Sequence, residues 1–239
     1  MAWKCSGVCN ESMIRQLERA SLLLTPAVID AFHRVDRGLF VPSSLVQLAY
    51  NDEPLPIGHN ATISAPHMHA MMAEIVAPVI LRALRTSPPV VLDVGSGSGY
   101  LTAVLCAMCG QGSTVVGVEH VPELVKRSMA VVKEHFGSWV DEGRIRFIQA
   151  DGRNIAELFD DMPREFDVIH VGAAADVVPR SYLNALRPGG CLVVPVGGED
   201  STQVLRVYTK DEKGCVSQQD RESVRFVPLT SLDHQLRRP

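Results

Sequence analysis

Apolar residues follow two rhythms along this chain, and the change falls at Pro88-Pro89. Before it, the first sixty residues read as two short helices and a loop. Thr25-Pro26 predicts a helix start, with the hydroxyl capping free amides and the proline at the first helical position. Tyr50 to Asn60, with Pro54, Pro56 and Gly58, predicts loop. Ser64-Ala65-Pro66 then opens a helix in which Met68, Met71, Met72, Ile75, Val76 and Val79 form one apolar stripe. After the prolines, Val90 to Val94 is an unalternating β-branched run, as in a strand covered on both faces. Helices and strands alternate from there. Helices are predicted over 100–108, 121–136 and 180–186, with a short one before Phe166, and strands over 114–118, 145–150, 166–171 and 191–196. Two further strands, 203–209 and 222–227, have no helix between them and predict a terminal antiparallel hairpin.

This succession predicts an α/β protein. It implies a doubly wound, mostly parallel sheet with helices on both faces, an N-terminal helical extension and C-terminal antiparallel strands. No linker, repeat or low-complexity stretch divides the 239 residues, so one domain is expected, with a helical cap over 1–66 and an α/β core over 67–239. Hydrophobic residues make up 46% and charged residues 21%, enough to build a large core and too apolar for disorder. A net charge of -4 supplies no basic excess to hold nucleic acid or an anionic membrane. The longest apolar run, Ile75 to Leu81, is broken by Pro78 and too short to span a bilayer, and Met1 to Ser6 lacks the apolar core of a secretory signal. Six cysteines in so long a chain suggest reduced thiols in the cytosol. Cys106-x-x-Cys109 lies inside an apolar helical pattern and reads as core; no metal site is expected among the cysteines or the eight histidines.

The chemistry is carried by Asp93-Val94-Gly95-Ser96-Gly97-Ser98-Gly99, between the first strand of the core and its helix. Ligands of doubly wound sheets bind beyond the carboxyl ends of the strands, and glycines there allow close approach and positive φ. A dinucleotide fingerprint needs glycine where this chain has Tyr100, and no Lys-Ser or Lys-Thr follows to make a phosphate loop. The G-x-G-x-G form after an acidic strand end resembles motif I of S-adenosylmethionine-dependent methyltransferases, whose loop holds the methionine part. Glu119-His120 lies at the end of the second core strand, where a carboxylate can accept both hydroxyls of a ribose. Asp151-Gly152, after the third, can meet the adenine with an acid and a close backbone. Each acid taken singly would serve equally as a helix cap; three strand ends in register with a glycine loop point to a nucleoside cofactor.

Further motifs narrow the resemblance. These are Ala61-Thr62-Ile63-Ser64-Ala65-Pro66-His67-Met68-His69-Ala70, His170 to Ala175, Leu186-Arg187-Pro188-Gly189-Gly190 and Val227-Pro228-Leu229-Thr230. With the glycine loop, and with Met1-Ala2-Trp3-Lys4 as in eukaryotic members, they resemble the protein-L-isoaspartate (D-aspartate) O-methyltransferase family in order along the chain. The resemblance implies the class I methyltransferase form of the Rossmann-like fold. It also implies a repair reaction: S-adenosylmethionine methylates the free carboxylate of L-isoaspartyl or D-aspartyl residues in damaged proteins and peptides, leaving S-adenosylhomocysteine. The ester then collapses without enzyme to a succinimide that partly hydrolyses to aspartate. A monomer is implied.

By the same match, Ser64 is the active-site residue. Its hydroxyl would hold one acceptor oxygen and aim the other at the methyl group, although Ser64 before Ala65-Pro66 also makes a good helix N-cap. Ala61 to Ser64, His69, Asp93, Gly95 to Ser98, Glu119, His120, Asp151, Gly152 and Thr230 are the expected cofactor contacts. Val171, Gly172 and Ala173 would let a substrate backbone lie close to the sheet edge. Glu119 stands where many members carry aspartate. The stretches 84–89 and 198–201 depart from the pattern, and Arg237-Arg238-Pro239 is no endoplasmic-reticulum retention signal.

Overall fold

The computed structural model describes residues 5–237, so Met1 to Lys4 and Arg238-Pro239 lie outside the described residues. Two helices, α1 (Asn10–Arg19) and α2 (Pro26–Arg34), lead through two short 3-10 turns to a hairpin of β1 (Leu55–Gly58) and β2 (Ala61–Ile63). The core follows in chain order as α3 (Pro66–Ala83), β3 (Val90–Val94), α4 (Tyr100–Cys109), β4 (Thr114–Glu119), α5 (Pro122–His135), α6 (Gly137–Asp141), β5 (Ile145–Gln149), β6 (Phe166–Val171) and α7 (Arg180–Asn184). It ends with β7 (Leu186–Val196), β8 (Gln203–Lys210), β9 (Val216–Val224) and α8 (Leu232–Arg237).

Seven strands form one sheet in the order β5-β4-β3-β6-β7-β8-β9. The first five are parallel, and β8 and β9 close the sheet as an antiparallel meander. The order runs outward in both directions from β3, so a crevice opens beyond the carboxyl ends of β3 and β6. Apolar clusters pack on both faces. On one face α4 is buried along its whole length, enclosed by the sheet and by α2 and α3. This explains why it is apolar all round rather than striped. Its Cys106 and Cys109 are buried thiols.

Several local expectations are corrected. Thr25 precedes α2, but its hydroxyl makes no cap and donates instead to Glu74 Oε2 at 2.6 Å. The loop expected over 50–60 contains β1. Its turn is His59-Asn60 with φ of 54° and 55°, the two positive values of a tight hairpin turn, and Asn tolerates that region. The buried face of α3 is His69, Ala70, Met72, Ala73, Val76, Ala77 and Ile80; Met68, Met71, Ile75 and Val79 flank it half-buried. The last strand lies at 216–224 rather than 222–227. Being an exposed edge strand, it carries polar residues, and the apolar run after it leaves the sheet to cover the crevice.

Candidate functional site

The glycine loop forms the floor of the crevice. Gly95, Gly97 and Gly99 adopt φ of 73°, 52° and 81°, the left-handed region that side chains other than those of Asn and Asp rarely enter. The loop is tied down from β4: Gly95 N–H and Ser96 N–H donate to the Val118 carbonyl at 2.8 and 3.1 Å. Gly97 N–H donates to Glu119 Oε2 at 3.0 Å, and the other carboxylate oxygen accepts from Val121 N–H at 3.0 Å. Glu119 is thus buried at the end of β4 with both oxygens bonded to backbone on one side and its edge on the crevice.

One wall is the β1–β2 hairpin and the entry to α3. Arg127 on α5 donates to the Ile57 carbonyl at 3.2 Å, and Asn60 Nδ2 donates to the Gln235 carbonyl at 2.9 Å. The opposite wall is the chain after β9. Ala174 N–H donates to Val227 O at 2.8 Å, Leu229 N–H donates to Ala174 O at 2.7 Å, and the Gln203 amide brackets the Phe226 backbone at 3.1 and 2.6 Å. These bonds hold Phe226 and Thr230 over the end of β6.

The crevice has two adjoining compartments. Ala61, Thr62, Gly95, Gly97, Glu119, His120, Asp151, Gly152, Gly172, Ala173 and Thr230 line the first. Thr62, Ile63, Ser64, His69, Asp93, the stretch 95–98, His170 and Gly172 line the second. Residues more than 160 positions apart in the chain therefore meet, and all but one of the expected site residues face the crevice. The exception is Val171, which is fully buried in the apolar cluster on the other face of the sheet, so its side chain offers no contact to a ligand.

Individual side chains sharpen the picture. Ala65, not Ser64, is the N-cap of α3 and makes no side-chain cap bond; the half-buried Ser64 hydroxyl has no hydrogen-bond partner among the described residues. Asp93 is enclosed and accepts from Thr102 Oγ1 at 2.5 Å, and it lies 2.7 Å from His170 Nδ1. His170 Nε2, on the far side of the ring, is buried without a partner. Asp151 is clasped by Arg153 through Nε and Nη2 at 3.0 and 2.6 Å, and that bond keeps its carboxyl below the usual range. A Cβ at Gly152 would lie 2.3 Å from Val94 Cγ1, so the backbone can approach the strand end only as glycine.

The sequence reading missed Gln235 and Phe226. Gln235 lines the first compartment, lies 2.8 Å from His120 Nε2 through Oε1, and donates to the His59 carbonyl at 2.8 Å. Phe226 lines the second. No local pattern marks either one, because only the return of the chain past β9 brings it back. Among the described residues no group of three His, Cys, Asp or Glu side chains is arranged for a metal, and no helix is long and apolar enough to cross a membrane.

The chain is similar to known proteins in sequence and fold. The family model described as Protein-L-isoaspartate(D-aspartate) O-methyltransferase matches residues 8–234. Protein-L-isoaspartate O-methyltransferase 1 of Arabidopsis thaliana is 42% identical, with 98% of this chain and 97% of that protein covered. The Caenorhabditis elegans protein-L-isoaspartate O-methyltransferase is 38% identical over 100% of both. A Plasmodium falciparum crystal structure assigned to protein-L-isoaspartate O-methyltransferase, in complex with S-adenosyl-L-homocysteine, superposes with a TM-score of 0.82. Its identity is 30%, and the coverage is 93% of this chain and 98% of that one.

Proposed function

The chain belongs to the protein-L-isoaspartate(D-aspartate) O-methyltransferase family, and from that premise we propose that it transfers a methyl group from S-adenosylmethionine to the free carboxylate of L-isoaspartyl, and of D-aspartyl, residues in damaged proteins and peptides. The observation that carries this reading is a Ser64 hydroxyl not used as a helix cap, on the wall of a crevice floored by the glycine loop.

The residues present fit the cofactor. Positive-φ glycines open the floor, and Glu119, His120, Asp151, Gly152 and Thr230 line the compartment assigned to the nucleoside. Ala61 to Ile63, His69 and Gly95 to Ser98 surround the amino-acid end. Asp93, saturated by Thr102 and His170, contributes by fixing His170 and the loop's origin. When bound, S-adenosylmethionine supplies an electrophilic methyl group, whose bond to sulfur breaks with its electron pair kept by sulfur as a carboxylate oxygen bonds the carbon, giving a methyl ester and S-adenosylhomocysteine.

The chain's own task is alignment and exclusion of water. A carboxylate is already ionised at neutral pH, so no general base is required. Ser64 donates to one acceptor oxygen and leaves the other free in line with the methyl carbon. Gly172 and Ala173, with no bulky side chains, admit the substrate backbone beside β6. Of the described residues, those up to 66 cap one unit whose α/β core begins at 67. Six free thiols suit the cytosol, and the polar edge strand β9 suits a monomer because it offers no flat apolar edge for pairing.

The test is methylation of an isoaspartyl peptide against its aspartyl counterpart, followed by release of methanol from the base-labile ester. Ser64→Ala is expected to lower turnover while S-adenosylhomocysteine affinity stays within several-fold. Unchanged turnover would overturn the role given to Ser64.

A further inference from the structure

Arg37, on the 3-10 turn Arg37–Phe40, is among the largest side chains fully enclosed in the protein. Among the described residues it forms no ion pair. Its Nε–H donates to the Ala49 carbonyl at 2.7 Å, its guanidinium lies over the Tyr100 ring at 5.7 Å, and its Nη1 is 3.2 Å from Nδ1 of His69. Asp52 acts on it only through space, and an enclosed guanidinium with no carboxylate in contact is costly to fold around; an apolar residue would fill the space at less cost. Burial pulls its pKa down to about 10, which still leaves it a cation at neutral pH.

A guanidinium has only N–H donors and no acceptor. Its contact with His69 is therefore a hydrogen bond only if Nδ1 of His69 offers a lone pair, and the single ring proton must then sit on Nε2. A protonated ring would set N–H against N–H. The charges around His69 act in the same direction: burial first, then Arg37, His170 from β6 and His67 from α3 all disfavour its cation. Tyr100 from α4 presents its ring to His69, with the centroids 5.0 Å apart. Asp93 is taken up by Thr102 and His170.

We propose that Arg37 is a positioning residue that locks His69 as a neutral Nε2–H donor on the wall of the reaction compartment, where it meets a carboxylate. The inference deepens the reading above and rests on it for the ligand, which is either the carboxylate at the amino-acid end of the cofactor or that of the isoaspartyl residue. A neutral donor orients the anion at a strength that does not change with pH across the physiological range. A titrating imidazolium there would vary with pH and would hold the anion more tightly in acid.

The test begins with wild-type protein labelled with ¹⁵N-histidine, His69 being assigned by the signal lost in His69→Asn. Long-range ¹H–¹⁵N spectra should show the proton on Nε2, unchanged from about pH 5 to about pH 8. A proton on Nδ1, or titration within that interval, overturns the proposal. This measurement needs no substrate, so its failure is distinct from a failure of the methyl-transfer reading. In Arg37→Met the constraint on Nδ1 is gone while the burial of the ring remains, so the ring proton is expected to divide between the two nitrogens and carboxylate binding to weaken several-fold. Arg37→Lys, which keeps a donor-only cation, should return the proton to Nε2 and restore the affinity. A proton still held wholly on Nε2 in Arg37→Met would also overturn the proposal; should that variant fail to fold, the wild-type and Arg37→Lys spectra decide. S-adenosylhomocysteine, compared with methylthioadenosine (which lacks the amino acid), identifies the source: a weakening of the former alone assigns the cofactor's carboxylate. An effect confined to the KM of the peptide assigns the substrate's.

Discussion

Replacing Glu119 tests the joint between β4 and the glycine loop. Its carboxylate accepts from Gly97 N–H and Val121 N–H, both at 3.0 Å. In Glu119→Ala the two donors fare differently. Gly97 borders the crevice and can turn to water, for a loss of about 1 kcal/mol. Val121 N–H is enclosed and stays unpaired, at about 1–3 kcal/mol. The protein should lose about 2–4 kcal/mol, and at about 2–4 °C per kcal/mol for a chain of this size the thermal midpoint should fall by about 4–16 °C. Cofactor affinity suffers separately, since a ribose diol without its acceptor costs about 1–3 kcal/mol, or about 5- to 150-fold in Kd. Glu119→Gln, with a single acceptor oxygen in the same shape, should fall between wild type and alanine on both measures. Calorimetric scanning reads the first quantity, and titration with S-adenosylhomocysteine reads the second. An unchanged midpoint in Glu119→Ala would refute the structural bonds, and an affinity within twofold of wild type would move the ribose elsewhere.

Gly152→Ala should destabilise the protein by about 1–3 kcal/mol and weaken the cofactor, because the new methyl must displace Val94; an unaltered urea midpoint would contradict this. Stability should also fall in mild acid through His69. Its folded pKa lies well below its ordinary value of 6.5, so the unfolded chain binds the proton more readily. The contribution is therefore intact above 6.5 and erodes as the pH drops through that value towards the folded pKa. Urea titrations at several pH values should show the slope, and His69→Asn should flatten it. A thiol reagent should react rapidly with the exposed Cys9 and Cys215 and reach the four buried cysteines only on unfolding. Burial pushes Cys106 and Cys191 up to about 12; fast labelling of more than two thiols in the native protein would contradict the packing of α4.

Much of this protein was legible one residue at a time. The β-branched runs, the glycine loop and the acids at strand ends all declare themselves within windows of a few residues, because a parallel strand covered on both faces has no polar alternation to hide it. Strand β6 and helix α4 therefore fall where the pattern places them. Polar β9 does not, since an exposed edge strand buries nothing and leaves no apolar trace. The hairpin β1–β2 was obscured by Pro54, Pro56 and Gly58, and its turn depends on positive φ at His59-Asn60. What no window contains is proximity. Gln235 beside His120, Thr25 on Glu74 and Arg37 against His69 join residues brought near only by the packing of whole elements. The amino-acid order alone thus determined which groups were available for chemistry. Only the tertiary structure decided which hydroxyl stayed free and which ring nitrogen lies against a guanidinium, because those depend on partners the chain meets only after it folds.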